Sequence, residues 1–506
     1  MATEARQTAS NTTPPNSRWG AIDRWFEITQ RGSTFGREIR GGLVTFFAMA
    51  YIVALNPLII GTAPDGAGNL LGGLPYQDAA GQVIGANVSH AITLVAGATA
   101  LIAGLATIAM GVIGRYPLGI ATGLGLNALL AFTIAPQMTW PQAMGLVVIE
   151  GLVIALLVLT GFRTAVFRAV PPSMRAAISV GLGLFIAFAG LVDSGVIRKP
   201  EGSVPVQLGI DGSLTGWPML VFAIGLFVVA ILHVRKVKGA LLLSIVIATV
   251  IAVIIQAAAH LPAQSDQHPT GWALNVPTIG HLVSVPDLSL IGQVSVFGAF
   301  GEGIHRFLPL VMLIFALILS DFFDTMGTVV GVGAEGNLLD DNGNPPHLGP
   351  VLMVDALSAT AGGIGSVSSN TAYIESAAGV GEGARTGLAS VVTGLGFLLA
   401  MFFAPLATIV PSEAAAPVLV FVGFLMMSQV TKINWADVEI GLPAFLTIIL
   451  MPFTYSITTG IGAGFLMMVI LKLVRGKARE IHPLLYGIAV AFLIYFLQGL
   501  IMKLVS

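Results

Sequence analysis

The chain has 506 residues, 55% of them hydrophobic and only 9% charged, against roughly 25% charged in an ordinary soluble domain. So little charge cannot cover a water-soluble globule of this length, which excludes a soluble enzyme, a nucleic-acid binder and a disordered hub. A net charge of -2 offers no basic tract, and the lack of cysteine removes disulfides, thiolate metal sites and cysteine catalysis.

What remains is an all-α polytopic membrane protein. Its 61 glycines fit, because glycine lets membrane helices approach closely. Residues 1–20 are polar, contain Pro14 and Pro15, and lack the apolar core of a cleavable signal; they read as a tail. Residues 21–40 place Trp25, Phe26 and Phe35 beside Arg24, Arg31, Arg37 and Arg40. That mixture suits a short helix at the cytoplasmic membrane face, with a solvated linker as the alternative.

About 20 apolar residues cross a bilayer. Candidate spans lie near 41–61, 88–113, 119–135, 143–161, 174–192, 217–234 and 238–259. The polar stretch 260–306 follows, ending in a Gly-rich, half-apolar run suited to the interface. A second set lies near 307–333, 350–364, 368–382, 384–406, 414–431, 440–457 and 459–474, and a further apolar stretch covers 482–502, either spanning or packing on the bundle. Asn56-Pro57 should end or kink the first span. Arg115, Arg163, Arg168, Arg175, Arg235, Lys236, Lys238, Arg385, Lys432, Arg475, Lys477 and Arg479 all fall on one side if the N-terminus is cytoplasmic. Arg198, Lys199 and Arg306 are the exceptions.

Seven is odd, so two sets of seven run in opposite senses, the inverted repeat of secondary transporters. Pro218 and Pro443 each open a helix that turns into a second, and 172–192 and 411–430 are each Pro-led entries into a Gly-containing helix.

Ionisable groups inside apolar spans are costly and need a reason. Asp321 and Asp324 sit at i and i+3 in LILSDFFDTMGTVVGVG and should share a helix face. Double ionisation of so close a pair is disfavoured, so it can gain and lose a proton, as a proton-coupled carrier requires. Glu375 lies in the short segment GSVSSNTAYIESAAGVGEG. Its Ser368, Ser369, Asn370 and Thr371 form helix poorly and hydrogen-bond well, which predicts extended backbone followed by a half-helix from about Asn370. A carboxylate there can accept N–H donors from a planar heterocycle. The counterpart, PLGIATGLGLNALLAFTIAP, is also short, and Asn127 is its only amide, suited to reading a ring edge or to joining helices. Glu150 lies mid-span, as a structural group or part of a proton path, and Asp355 is expected near a helix start. Gly379, Gly381 and Gly383 are not a nucleotide loop, since no strand–helix unit surrounds them.

The opening REIRGGLVTFFAMAYIVALNP, the central SDFFDTMGTVVGVG, the stretch SSNTAYIESAAGVGEGARTGL and the late LPAFLTIILMPFTYSITTGIGAGF together resemble the AzgA-like purine permeases. These are a branch of the nucleobase–cation symporter-2 family, and the resemblance runs from about residue 22 to 475. It implies 14 transmembrane helices in two inverted repeats of seven, with short strands in spans 3 and 10. A tail (1–40) would precede a core domain of 41–161 and 307–406 and a gate domain of 162–259 and 407–474. The connection 260–306 would be extracytoplasmic, and 475–506 would add a basic loop and an extra helix.

It further implies a plasma-membrane (inner-membrane) carrier that imports hypoxanthine, guanine or adenine by proton symport through an elevator motion. Sodium remains an alternative coupling ion, no cofactor is implied, and a homodimer joined through the gate is the implied assembly. Asp321 matches the span-8 acid that binds substrate, Glu375 the essential span-10 glutamate and Asn127 the span-3 polar residue. Asp324 matches the second acid, and Thr325, Ser376 and Thr371 are adjacent candidates for substrate contact. Proton coupling would rest on Asp321, Asp324 and Glu375. A carrier of the same build for uracil or xanthine is the runner-up. A channel would want a continuous polar lining, whereas these polar residues cluster at two broken segments.

Overall fold

The computed structural model describes residues 18–505, apart from 161–169, 201–204, 266, 274, 281, 303–305 and 341–344. The expected tail up to residue 17 and the loop cations Arg163 and Arg168 lie outside the described residues. Among the described residues, ten helices are long and apolar enough to cross a membrane, and four shorter apolar helices accompany them.

The chain enters through α1 (Arg18–Phe26) and α2 (Phe35–Met49). Thr34 caps α2, its hydroxyl accepting from the Arg37 N–H. The short helix expected over 21–40 is therefore confined to α1, and the rest is a turn and the start of α2. The first span breaks at Ala50-Tyr51, ahead of α3 (Ile52–Ile60). Pro57 lies inside α3, so the break falls before the proline rather than at it. The missing proline N–H frees the Val53 carbonyl, a loss that α3 absorbs without ending there.

α4 (Gly85–Ala109) runs into a π-helical turn, Met110–Gly114. Strand β1 (Ile120–Thr122) and the half-helix α5 (Leu124–Leu129) follow, extended by a second π turn, Leu130–Ile134. α6 (Trp140–Leu159) and α7 (Pro172–Asp193) come next, then a small hairpin of β2 (Ile197–Arg198) and β3 (Gln207–Leu208). α8 (Trp217–Val234) and α9 (Ala240–Ala259) lead into a long connection whose regular structure, among the described residues, is one 3-10 turn, Gly298–Glu302.

The second half repeats the pattern. α10 (Phe307–Glu335) and α11 (Leu348–Ile364) precede strand β4 (Asn370–Ala372) and the half-helix α12 (Ser376–Gly381). Asn370 therefore begins a strand, and the half-helix starts only at Ser376. α13 (Gly387–Ala400), α14 (Ser412–Met427), α15 (Val438–Phe453) and α16 (Ile457–Val474) follow. Pro443 sits inside α15 instead of opening it, whereas α7 and α14 both begin directly after a proline. Asp355 lies well inside α11, not at its start. The extra apolar stretch forms α17 (Pro483–Val505), which packs on α16 and α10 through buried Leu485, Ala489 and Phe492.

Glycine sets the closest helix contacts. A Cβ on Gly387 would lie 2.0 Å from the Gly111 carbonyl oxygen, and one on Gly394 would lie 2.6 Å from that of Gly104. α4 and α13 thus touch backbone to backbone, which is how membrane helices gain dispersion contact without a hydrophobic driving force.

Candidate substrate site

Strands deep in a helical bundle are tolerable only if every backbone polar group finds a partner. β1 and β4 pair antiparallel, with Ile120 opposite Ala372, Ala121 opposite Thr371 and Thr122 opposite Asn370. Side chains and neighbouring turns supply further partners. The Thr107 hydroxyl accepts from Ile120 N and donates to Ile120 O, both at 2.9 Å. Ser390 Oγ accepts from Leu118 N at 2.8 Å, and Ser376 Oγ accepts from Gly119 N at 2.9 Å. Gly123 N donates to Ser369 O, and Tyr373 N donates to Gly119 O, each at 3.0 Å.

Glu375 sits where β4 turns into α12, half-buried. The Tyr51 hydroxyl donates to its Oε1 at 2.6 Å. Beside it an exposed stripe runs down α10 through Asp324, Gly327, Val330 and Ala334 to Glu335. Ile374 borders that stripe and is itself 52% exposed. The other half of α10, from Leu308 to Phe322, is mostly buried. The carboxylates therefore meet an opening that leads away in one direction only. A separate aromatic cluster joins α7 to the segments around it: Tyr455 lies 5.5 Å from Phe132, 5.2 Å from Phe185 and 6.0 Å from Phe188, centroid to centroid.

The structure separates the two aspartates. Asp324 faces the opening, whereas Asp321 is fully buried. Thr325, Thr371 and Ser376 are buried too and are engaged in the framework. Thr325 donates to Asp355 Oδ2 at 2.8 Å and shares a 2.8 Å hydrogen bond with Thr371. Asn127 is buried in α5, its amide N–H reaching the Thr122 hydroxyl at 3.3 Å. Glu150 lies mid-way along α6, fully buried, and accepts from Ser369 Oγ at 3.2 Å. Two tyrosines complete the site. Tyr51 holds Glu375, and the Tyr373 hydroxyl donates to the Thr122 carbonyl at the strand crossing. Neither carries a charge, so neither stands out in an apolar stretch; the signal available was an aromatic hydroxyl needing a partner at bilayer depth. A separate concavity of about 420 Å³, lined by Lys472, Arg479 and His482 near the start of α17, contains none of these residues.

Acids at a broken-helix crossing, reached from one side of an apolar bundle, are the furniture of a membrane carrier, not of an enzyme. The comparison with known families agrees. The permease family Xan_ur_permease matches residues 79–463, and the chain belongs to that family. Guanine/hypoxanthine permease PbuG of Bacillus subtilis (strain 168) is 36% identical over 476 residues, covering 94% of this chain and 99% of that protein. Adenine permease AdeP of Escherichia coli (strain K12) is 35% identical over 487 residues, covering 95% and 97%. Among solved structures, the transmembrane domain of the cyanobacterial bicarbonate transporter BicA aligns with a TM-score of 0.55 at 15% identity, over 85% of this chain and 96% of that one. The murine anion transporter Slc26a9 in its inward-facing state gives 0.59 at 12% identity, over 93% and 74%. At those identities the likeness concerns the fold alone.

Proposed function

We propose that this permease imports purine nucleobases (hypoxanthine, guanine or adenine) by proton symport. The observation that carries this reading is Glu375, held by Tyr51 at the strand crossing and facing, with Asp324, an opening into the bundle. α10, α11 and α12 carry no Lys, Arg or His. A site rich in acids repels anions and accepts N–H donors, which a purine edge supplies. The names of the guanine/hypoxanthine and adenine permeases point to the same substrate class.

An elevator motion fits the arrangement. The core would comprise α2–α6 and α10–α13, and the gate α7–α9 and α14–α16, as two inverted seven-span repeats with the strands in spans 3 and 10. Support comes from the corresponding half-helices α5 and α12 and from the proline-led entries of α7 and α14. A proton taken up by Glu375, Asp321 or Asp324 neutralises charge before the loaded core moves, and a neutral pair crosses a low-dielectric region at less cost than an anion. Asn127, Thr325, Thr371 and Ser376 shape the crossing beneath the purine. The distribution of cations supports an N-terminus inside and an opening toward the cytoplasm, and the plasma membrane is the proposed location. A homodimer joined through the gate would hold that domain still.

The test is uptake of labelled hypoxanthine into proteoliposomes, with and without an inward proton gradient, competed by guanine, adenine, xanthine and uracil. Gradient-driven uptake blocked by purines but not by uracil supports the proposal. Uptake indifferent to the proton gradient, or blocked by uracil alone, removes it.

A further inference from the structure

We propose that Tyr51 is the positioning residue of the site, its hydroxyl holding the Glu375 carboxylate aimed at the incoming purine. This rests on the purine-permease reading, in which Glu375 meets the substrate. Tyr51 occupies the break between α2 and α3 and is 1% exposed. Its hydroxyl donates to Glu375 Oε1 at 2.6 Å, within the short range of bonds to a charged acceptor. Among the described residues it is the one side chain that donates to Glu375.

The bond is built into a rigid frame. α2 and α12 run antiparallel, Gly41 opposite Gly379 and Tyr51 opposite Glu375. A Cβ on Gly379 would lie 2.2 Å from Thr45 Oγ1 and 2.3 Å from the Gly41 carbonyl oxygen, so the two backbones touch. Further along, Arg40 pairs with Glu382 at 2.9 Å, and Glu38 accepts from the backbone N–H groups of Arg385 and Thr386 at 2.8 and 3.3 Å. With α2 pinned to α12 at that end, a buried phenol at the other leaves the carboxylate little freedom to rotate. The Tyr373 ring lies 6.5 Å from that of Tyr51.

A phenol titrates near 10, so at physiological pH Tyr51 only donates when paired with a carboxylate. A donor of that kind favours the ionised acceptor. The titratable groups facing Glu375 are Tyr51 from the break between α2 and α3, Tyr373 from the segment before it and Asp324 from α10. Arg37, Glu38 and Arg40 of α2 lie at the opposite end, against residues 382–386. Of these groups, Tyr51 is the one that fixes Glu375 by a hydrogen bond.

The experiment compares wild type, Tyr51→Phe and Tyr51→His in proteoliposomes, reading the KM for hypoxanthine and the pH profile of uptake. Tyr51→Phe removes one oxygen and keeps the ring. We expect its KM to rise about tenfold, the scale of one lost hydrogen bond to a charge. Whatever part of its pH profile Glu375 governs should move to higher pH, because the carboxylate has lost a donor that favours its anion. Tyr51→His, which restores an N–H donor, should recover part of both changes. A merely structural tyrosine would lower the melting temperature and leave KM and pH profile in place. Folded Tyr51→Phe with wild-type KM and pH profile overturns the proposal, as does Tyr51→His no better than Tyr51→Phe. If Tyr51→Phe does not fold, Tyr51→His decides: a KM within a few-fold of wild type supports the role, and a KM raised about tenfold or more overturns it. Wild-type liposomes without purine uptake would instead overturn the functional reading, and the positioning role with it.

Discussion

Gly183 of α7 and Gly423 of α14 meet backbone to backbone. A Cβ on Gly423 would lie 2.4 Å from the Gly183 carbonyl oxygen, and one on Gly183 would lie 2.9 Å from that of Gly423. The two helices belong to opposite halves of the chain and enter the bundle alike, each directly after a proline. Gly423→Val must push them apart, at a cost of about 1–3 kcal/mol. Thermal unfolding in detergent should show a lowered melting temperature. Gly349→Ala, in a helical position with nothing within 4 Å of the new methyl, is the control and should be neutral or slightly stabilising.

Glu375→Gln keeps the size of the side chain and an acceptor for Tyr51 but removes the titratable charge. Gradient-driven purine uptake should fall roughly a hundredfold or more, the upper scale of a lost hydrogen bond to a charged group. Asp321→Asn should do the same, although Asp321 is buried and Glu375 is not. Uptake rates in proteoliposomes, normalised to protein recovered as a sharp peak on size exclusion, provide the measurement. Wild-type rates in either variant would end the assignment of that residue.

Much of this was legible in the sequence, for physical reasons that also explain the misses. Apolar length locates membrane helices, so the boundaries of α8, α9 and α10 follow from composition. Glycine and hydroxyl residues in a span too short to cross unaided marked the β4 segment, because such backbone needs internal partners, whereas the strand of the β1 segment was implied by the family resemblance. What composition cannot reveal is pairing between distant segments. Nothing in YIVALNP says that Tyr51 will meet Glu375, and the visible breaker, Pro57, drew attention past the actual break at Ala50-Tyr51. Asp321 and Asp324 looked equivalent by spacing. The packing of α10 then turned one into protein and the other toward the opening.

Ser376 was a candidate for substrate contact, yet its hydroxyl accepts from the Gly119 N–H and is fully buried. Ser376→Ala leaves that N–H without an acceptor, a loss of about 1–3 kcal/mol. The expected result is a lower melting temperature with the KM for hypoxanthine close to wild type in the protein that folds. A raised KM at unchanged melting temperature would instead put the hydroxyl on the substrate.

Glu27 clamps α1 to the bundle, and this clamp should respond to pH. Glu27 Oε2 accepts from Arg31 Nε and Nη2 at 3.0 and 2.7 Å, while Oε1 lies 3.5 Å from Arg115 Nη1 and 3.4 Å from His347 Nε2. Burial alone would raise this carboxyl, but the hydrogen bonds and charges of Arg31, joined by His347, outweigh it and hold Glu27 below its ordinary 4.5. The folded protein therefore binds fewer protons at this group than the unfolded chain does. Its contribution to stability is complete above the unfolded value and disappears as the pH falls through the depressed folded value. Glu27→Gln should accordingly melt below wild type at neutral pH, with the gap closing as the pH drops under about 4. The gap should also narrow with added salt, because the pairs are partly exposed and screened. Melting curves of both proteins across that pH range decide it: a gap that persists unchanged into acid would mean that packing, not the charge on Glu27, holds α1 in place.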